Sequence, residues 1–306
     1  MGYARWNDGD WNRYAAGLRG KSRSEMFRSR GMVPEFDPER IDVRESRDSD
    51  YNPNSTPIIV AVDVTGSMGH LAELLVREGV AELMTSLLDE GRVSDPQLLC
   101  MGIGDAWTDQ APLQATQFEA DLRIVEQLGR IWIEGGGGGN GEESYILPWA
   151  FAAEKTSCDA IEKGRRKGLL VTVGDDGPPA ALLREHAERI GLSLQRDMDA
   201  KELLRIASAQ WDIFHLQIEE GFNMQGRQGD DIRQRWRDLL GERFISVPDY
   251  RLMAKVIAGL AERCGDDQPV RPNADHPIRP AKRGPLKRLV PSVKRRRTLV
   301  PSWHQR

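Results

Sequence analysis

The sequence predicts a doubly wound α/β fold, a mostly parallel sheet with helices packed on both faces. Three observations carry this. Short apolar runs rich in β-branched residues, such as "IIVAVD" from Ile58 to Asp63, recur along the chain. Stretches with apolar residues at helical spacing separate them, and the alternation persists for more than 200 residues. Such alternation argues for parallel strands joined by covering helices. The apolar runs also end in Asp- and Gly-rich turns, and in open parallel sheets ligands bind beyond the carboxyl ends of the strands.

Taken in order, residues 1 to about 30 mix Trp6, Trp11, Tyr14 and Met26 with many charges and suit one or two short helices docked on the body. Residues 33–57 hold four prolines and many acids and read as an extended connector. "IIVAVD" suits a strand buried on both faces. "HLAELLVREGVAELMTSLLDEG" follows as a helix, with Gly91 where a C-cap belongs. "PQLLCMGIGD" is the second strand and "LGRIWIEG" the third, while "SYILPWAFAAEKT" is a helix from near Ser144. "GLLVTVGDDGPP" is a buried strand leaving through a turn. "PAALLREHAERIG" and "AKELLRIASA" are helical, "WDIFHLQIE" a strand, "DIRQRWRDLLG" a helix, "RFISVPD" a strand and "YRLMAKVIAGLAERC" a final helix. The organisation is therefore an N-terminal extension and linker over 1–56, one domain over 57–265, and a basic, Pro-rich tail over 266–306 expected to be mobile.

The chain has 306 residues, enough for one large core. No apolar run approaches the roughly 20 residues that cross a bilayer, and the N-terminus lacks the apolar core of a signal peptide. Three widely spaced cysteines (Cys100, Cys158, Cys264) suggest a reducing compartment and no disulfide framework. The expected location is the cytoplasm, or a virion for a phage-encoded chain. The net charge of −4 hides an asymmetry. From Arg271 onward there are 11 Lys/Arg and a single acid, Asp275, whereas 46 of the 47 acidic residues lie before that point. An acidic body with a basic tail is two electrostatic objects, each able to choose its own partner.

Four strand ends carry oxygen-bearing side chains. The first gives Asp63, Thr65 and Ser67, whose spacing on a turn entering a helix lets three oxygens converge. The second gives Asp105, with Asp109 close behind. The third leads into "GGGGGNGEESY", where five glycines precede Asn140, Glu142, Glu143 and Ser144. The fourth gives Asp175 and Asp176. Hard oxygen donors with few carboxylates suit Mg²⁺, or Mn²⁺ or Ca²⁺, rather than zinc. Helix capping explains Asp63, Thr65 and Ser67 when they are taken alone; the other strand ends favour a metal. No Gly-Lys-Ser/Thr follows the glycines, which argues against a P-loop. His70 reads as a helix-surface residue beside the site, and Trp107 and Trp132 as packing residues.

These motifs resemble those of von Willebrand factor A domains over roughly residues 57–265. "DVTGS" is similar to the family's D-x-S-x-S metal-site motif, with Thr65 in place of the first Ser. "VGDD" places Asp175 on the metal-site Asp and Asp176 where Gly is usual. The Gly-rich loop departs from the common type, which offers a Thr; it resembles the integrin-β-like variant, with Glu143 replacing the Thr and Glu142 standing where Pro would be. The combined motifs look closest to a bacterial and phage-associated branch. The resemblance implies a metal-ion-dependent adhesion site with a Rossmann-like sheet and Asp63, Thr65, Ser67, Glu143 and Asp175 around the ion. Asp105, Asp109, Asn140, Glu142 and Asp176 are candidates to support them, with ordinary loop solvation the alternative for Asp105 and Asp109. It also implies a function in protein binding, through an open metal position that takes a partner carboxylate. Because the wider group is often linked to AAA+ ATPases of the MoxR type, an adaptor that brings a target to such a motor is one implied role.

Catalysis is not expected. A phosphatase of the Asp-x-Asp-x-Thr kind needs a second acid two residues after Asp63, and that position is Thr65. The alternative is a structural or assembly protein held by its termini. Its motivation is the tail, where Leu-Val-Pro-Ser occurs at 289 and again at 299, presenting Leu289, Pro291, Leu299, Pro301 and Trp303 as short recognition segments. The clustered Lys/Arg also allow contact with nucleic-acid phosphates, but with Trp303 the only aromatic beside them, sequence-specific readout is not expected.

Overall fold

A computed structural model of the chain describes residues 5–66, 68–88, 93–136, 142–264 and 278–280. A six-stranded sheet forms its centre. In chain order the strands are β1 (Thr56–Asp63), β2 (Pro96–Ile103), β3 (Leu113–Ala115), β4 (Gly168–Gly174), β5 (Trp211–Ile218) and β6 (Phe244–Val247). Their spatial order is β6-β5-β4-β1-β2-β3, parallel throughout except for the antiparallel edge strand β3. The mostly parallel, doubly wound sheet that the sequence predicts is thus present.

Every residue of β1, β2 and β4 is buried, which explains their continuous apolar character. The pleat still divides them. Ile58, Val60 and Val62 face a layer made by Leu71–Leu87, Ile124–Leu128 and the helix Met253–Arg263. Ile59 and Ala61 face the opposite layer, built by the helices Leu147–Glu154, Ala200–Ala207 and Gly226–Leu240. From β1 the chain moves outward to β2; from β4 it moves the other way to β5. The carboxyl ends of β1 and β4 therefore border a switch in strand order, where an open α/β sheet parts to admit a ligand.

Several sequence expectations are corrected. "LGRIWIEG" forms no strand; it runs beside β3, held by the buried Gln114 side chain. Gln114 Nε2 donates to the Trp132 carbonyl at 2.9 Å, and its Oε1 accepts from Trp132 N–H at 2.9 Å. One amide side chain does the work of a ladder rung, so the segment lies flat without pairing. The antiparallel strand Leu113–Ala115 was not foreseen because three residues carry no readable period. Gln114→Ala is expected to destabilise the fold by about 2 kcal/mol, since it strands two backbone groups; equal denaturation midpoints for the two proteins would refute this arrangement.

The helix after Asp63 is not continuous: Gly69–Leu74 and Val80–Leu88 are joined by a π-helical turn at Leu75–Gly79. Gly91 lies outside the described residues. "PAALLREHAERIG" forms a helix only over Arg184–Glu188. Its start is drawn into a two-residue strand, Ala181–Leu182, antiparallel to Met198–Asp199. The helix in "SYILPWAFAAEKT" begins at Leu147, with Pro148 in its first turn, where a missing N–H costs nothing.

The stretch 33–57 is bound along its length rather than merely extended. Arg44–Ser46 pairs in parallel with Thr156–Cys158, and buried Lys155 donates through Nζ to the carbonyls of Pro38 at 2.6 Å and Ile41 at 2.9 Å. The N-terminal helix Asp8–Leu18 is capped by Asn7, whose side chain accepts from Asp10 N–H, and Leu18, Met26 and Phe27 join the core. Within 266–306, Ile278 is fully buried and Arg279–Pro280 pairs with Leu192–Ser193. This part of the expected mobile tail is fixed to the body because Ile278 fills an apolar site. Residues Leu289, Pro291, Leu299, Pro301 and Trp303 lie outside the described residues. Among the described residues no helix is long and apolar enough to cross a membrane.

Glu154, at the end of its helix, has its carboxyl pushed up to about 7 by burial, partly opposed by Arg279. A carboxyl raised in the folded state stabilises the fold below its unfolded pKa, and that stability is lost as pH rises through about 7. Glu154→Gln is expected to flatten this loss and to be the more stable protein at pH 8 by about 1 kcal/mol, allowing for partial solvent exposure. Parallel pH–stability curves for both proteins would rule it out.

Candidate metal centre

Asp63 closes β1 and is completely buried. Its Oδ1 accepts from Thr65 N–H at 2.8 Å and from Thr65 Oγ1 at 2.6 Å. Its Oδ2 accepts from the Tyr145 hydroxyl at 2.8 Å. Thr65, which the sequence places as a ligand, thus also holds Asp63 in place; a hydroxyl that donates keeps its lone pairs for a cation. Asp175 follows β4, and its Oδ2 accepts from Asn223 N–H at 3.4 Å. Glu143 is 4% exposed, and its Oε2 has no hydrogen-bond partner.

These acids feel one another. Burial raises the Glu143 carboxyl, and the charges of Asp63, Asp105, Asp176 and Asp109 raise it further. Burial also raises Asp63, against its hydrogen bonds and with Asp175 adding to the rise. Asp175 is raised by burial, and nearby His70 opposes this. Asp176 is pushed up to about 6, by burial first and then by Asp175. Among the described residues no Lys or Arg forms an ion pair with Asp63, Glu143, Asp175 or Asp176. His70 and Arg235 offset the rise only in part, for Asp175 and Asp176 respectively. Carboxyls raised together by burial and by one another's charge are what a bound cation would relieve, in competition with protons.

The remaining predicted residues take supporting places. Asp105 Oδ1 accepts from Trp107 N–H at 2.9 Å, and Asp109 Oδ2 accepts from Asp105 N–H at 2.9 Å, so the two acids brace one turn. Asp176 Oδ2 accepts from the Asn223 side chain at 3.0 Å. Glu142 pairs with Arg235, while Glu143 feels the charge of Asp63. Ser144 Oγ accepts from Ala106 N–H at 2.8 Å, tying the end of the Gly-rich loop to the Asp105 turn. His70 meets the Tyr250 ring edge-on at 5.2 Å. Trp107 meets His186 edge-on at 4.6 Å and is 60% exposed, so it is a rim residue. Ser67 and Asn140 lie outside the described residues.

Close backbone approach assembles the site. Gly66 N–H donates to the Gly136 carbonyl at 2.8 Å, joining the Asp63 turn to the Gly-rich loop. A Cβ on Gly136 would stand 2.0 Å from Asp109 Oδ1, and one on Gly221 would stand 2.1 Å from the Asp175 Cβ. Two contributors escaped sequence reasoning. Tyr145 sits in an apolar helical stretch, and the only hint was its hydroxyl beside the Gly-rich loop. Asn223 lies on the turn after β5 and had no spacing signal.

Among the described residues no three His, Cys, Asp or Glu side chains are grouped to hold a metal ion on their own. The predicted set includes three carboxylates, Asp63, Glu143 and Asp175, and the described residues do not gather these three into a ready-made site; the Thr65 and Ser67 hydroxyls would have to complete it. The donor chemistry fits a hard cation: every candidate atom is oxygen, Glu143 Oε2 is buried with no donor among the described residues, and the charges of the neighbouring acids raise its carboxyl.

No family model matches the sequence, and no curated protein matches it. Among solved structures, the chain is similar to the pilus adhesin SpaC from Lactobacillus rhamnosus GG, at 11% identity and a TM-score of 0.46, over 72% of this chain and 31% of that one. It is similar to a von Willebrand factor type A protein from Catenulispora acidiphila, at 12% identity and a TM-score of 0.39, over 68% of this chain and 42% of that one. It is also similar to the proximal thread matrix protein 1 of the mussel byssus, at 10% identity and a TM-score of 0.43, over 72% of this chain and 49% of that one. The chain thus spans less than half the length of each. At these identities and scores the α/β assignment stands on the strand order and registers of the chain itself.

Proposed function

We propose that the chain is a metal-dependent protein-interaction module of the von Willebrand factor A type. Asp63, Thr65, Ser67, Glu143 and Asp175 would hold Mg²⁺, with Mn²⁺ or Ca²⁺ as substitutes. The observation that carries this reading is the buried Glu143 Oε2, without a hydrogen-bond partner among the described residues and crowded by the charges of Asp63, Asp105, Asp176 and Asp109. When bound, the ion supplies a Lewis-acidic position for a carboxylate of the partner protein. The residues of the chain do the rest. Tyr145 and Thr65 fix both oxygens of Asp63, and Asn223 N–H orients Asp175. The exposed Trp107 and Phe222 stand on the turns carrying Asp105 and Asn223, where a partner would meet them.

The module acts by binding and not by catalysis, because Thr65 stands where a phosphatase of this strand type needs its general acid. Its place in a bacterial or phage-associated branch, and an adaptor role beside a MoxR-type AAA+ ATPase, rest on the sequence motifs alone. A cytoplasmic or virion location rests on the same reading.

The test is a pull-down from native lysate with wild type in Mg²⁺, wild type in chelator, and Asp63→Ala in Mg²⁺. A partner captured only in the first supports metal-mediated binding. A partner retained in all three transfers the function to the termini, which is the assembly-protein alternative.

A further inference from the structure

A cavity of about 750 Å³ opens between the connector and the segment around helix Arg123–Leu128, lined by Phe36, Ile41, Val43, Arg44, Gln117 and Arg130 among others. Small-molecule sites typically measure about 300–1,000 Å³ and combine apolar walls with a few placed polar groups. Phe36, Ile41 and Val43 supply such walls here.

Its polar group is unusual. Arg44 is 7% exposed, and its Nη2 donates to the carbonyls of Glu35 and, at 2.8 Å, Ala115. Neither Nε nor Nη1 has a hydrogen-bond partner among the described residues, and Nε is fully enclosed. No carboxylate of the described residues pairs with Arg44, and burial without a counter-charge lowers its guanidinium to about 10. The neighbouring arginines are committed: Arg130 pairs with Glu35 at 3.2 Å and lies over the Phe36 ring, and Arg123 pairs with Glu119 and Asp121, both at 2.9 Å. Gln117 Oε1, another lining group, is a buried acceptor without a donor. Buried guanidinium groups are normally neutralised by a carboxylate or phosphate. This one has the cavity beside it and, among the described residues, no carboxylate paired with it, although Glu35, Asp42 and Glu126 also line the cavity.

We propose that this cavity binds a small organic oxyanion, with its carboxylate or phosphate on Nη1 of Arg44 and its apolar body against Phe36, Ile41 and Val43. This site uses none of the residues of the metal centre, so it stands or falls separately from the proposed function. Ligand that binds only the folded state raises the unfolding midpoint as its concentration rises. The experiment measures that midpoint with sodium phosphate and with sodium benzoate, each against sodium chloride at equal ionic strength. The proteins are wild type, Arg44→Gln, and Val43→Trp, which fills the cavity from a 41% exposed position. A concentration-dependent rise in wild type that disappears in both variants supports the site, and the salt that produces it tells phosphate from carboxylate. Should Arg44→Gln fail to fold, loss of the rise in Val43→Trp supports the site on its own. No rise in wild type, or a rise that survives in Val43→Trp or in folded Arg44→Gln, overturns it.

Discussion

Replacing Asp63 with asparagine is expected to abolish useful binding of a divalent cation. Because even an outer partner of a metal ligand is worth about 10–100-fold in affinity, loss of a direct carboxylate should raise the Mg²⁺ dissociation constant by about 100-fold or more. The same substitution is expected to stabilise the metal-free protein. Asp63 is buried beside Asp175 and Glu143, and burial already penalises its charge. An amide keeps an acceptor for Thr65 N–H without adding to the repulsion, a gain of about 1–3 kcal/mol. The substitution thus separates binding from folding, with opposite signs for the two. Calorimetric titration with Mg²⁺ and denaturation in chelator measure both. Equal Mg²⁺ affinity in the two proteins would remove Asp63 from the centre. A variant weaker in chelator than wild type would show that the hydrogen bonds from Thr65 and Tyr145 outweigh the repulsion.

Gly174→Ala is expected to be the most damaging small substitution near the site. A Cβ at this position would lie 1.9 Å from the Tyr145 hydroxyl oxygen and 2.6 Å from its Cζ. Tyr145 is fully buried between His215 and Trp236, at ring distances of 5.0 Å and 5.6 Å, so it has nowhere to retreat. Forced overpacking of this kind costs about 1–3 kcal/mol. The hydroxyl that must move is the donor to Asp63 Oδ2 and the acceptor from Asp176 N–H at 3.3 Å. Metal affinity is therefore expected to fall together with stability. Tyr145→Phe removes the closest atom of the clash, so the double variant should recover about 1 kcal/mol relative to the sum of the two single changes. An additive cycle would mean that Gly174 is not packed against Tyr145 in the way described.

The sequence by itself determined the sheet and most of its helices, because burial on both faces writes long apolar runs such as "IIVAVD" and "GLLVTVG", and amphipathic helices write a readable period. It also marked Asp63 and Asp175 at the ends of apolar strands, Thr65 on the turn that follows the first, and Glu143 after the run of glycines, because the four together make a pattern that capping of one helix does not explain. The tertiary structure alone decided what no local pattern encodes. Gln114 replaces a strand rung with a side-chain amide, a contact across 18 residues. Tyr145 reaches Asp63 across 82 residues and Asn223 reaches Asp175 across 48. Ile278 returns to the core from a stretch whose composition reads as tail. Arg44 carries no signal within an acidic connector, yet it is enclosed with no paired carboxylate among the described residues. Each of these depends on which distant segments the folded chain brings together, and periodicity reports only what a residue's near neighbours in sequence require.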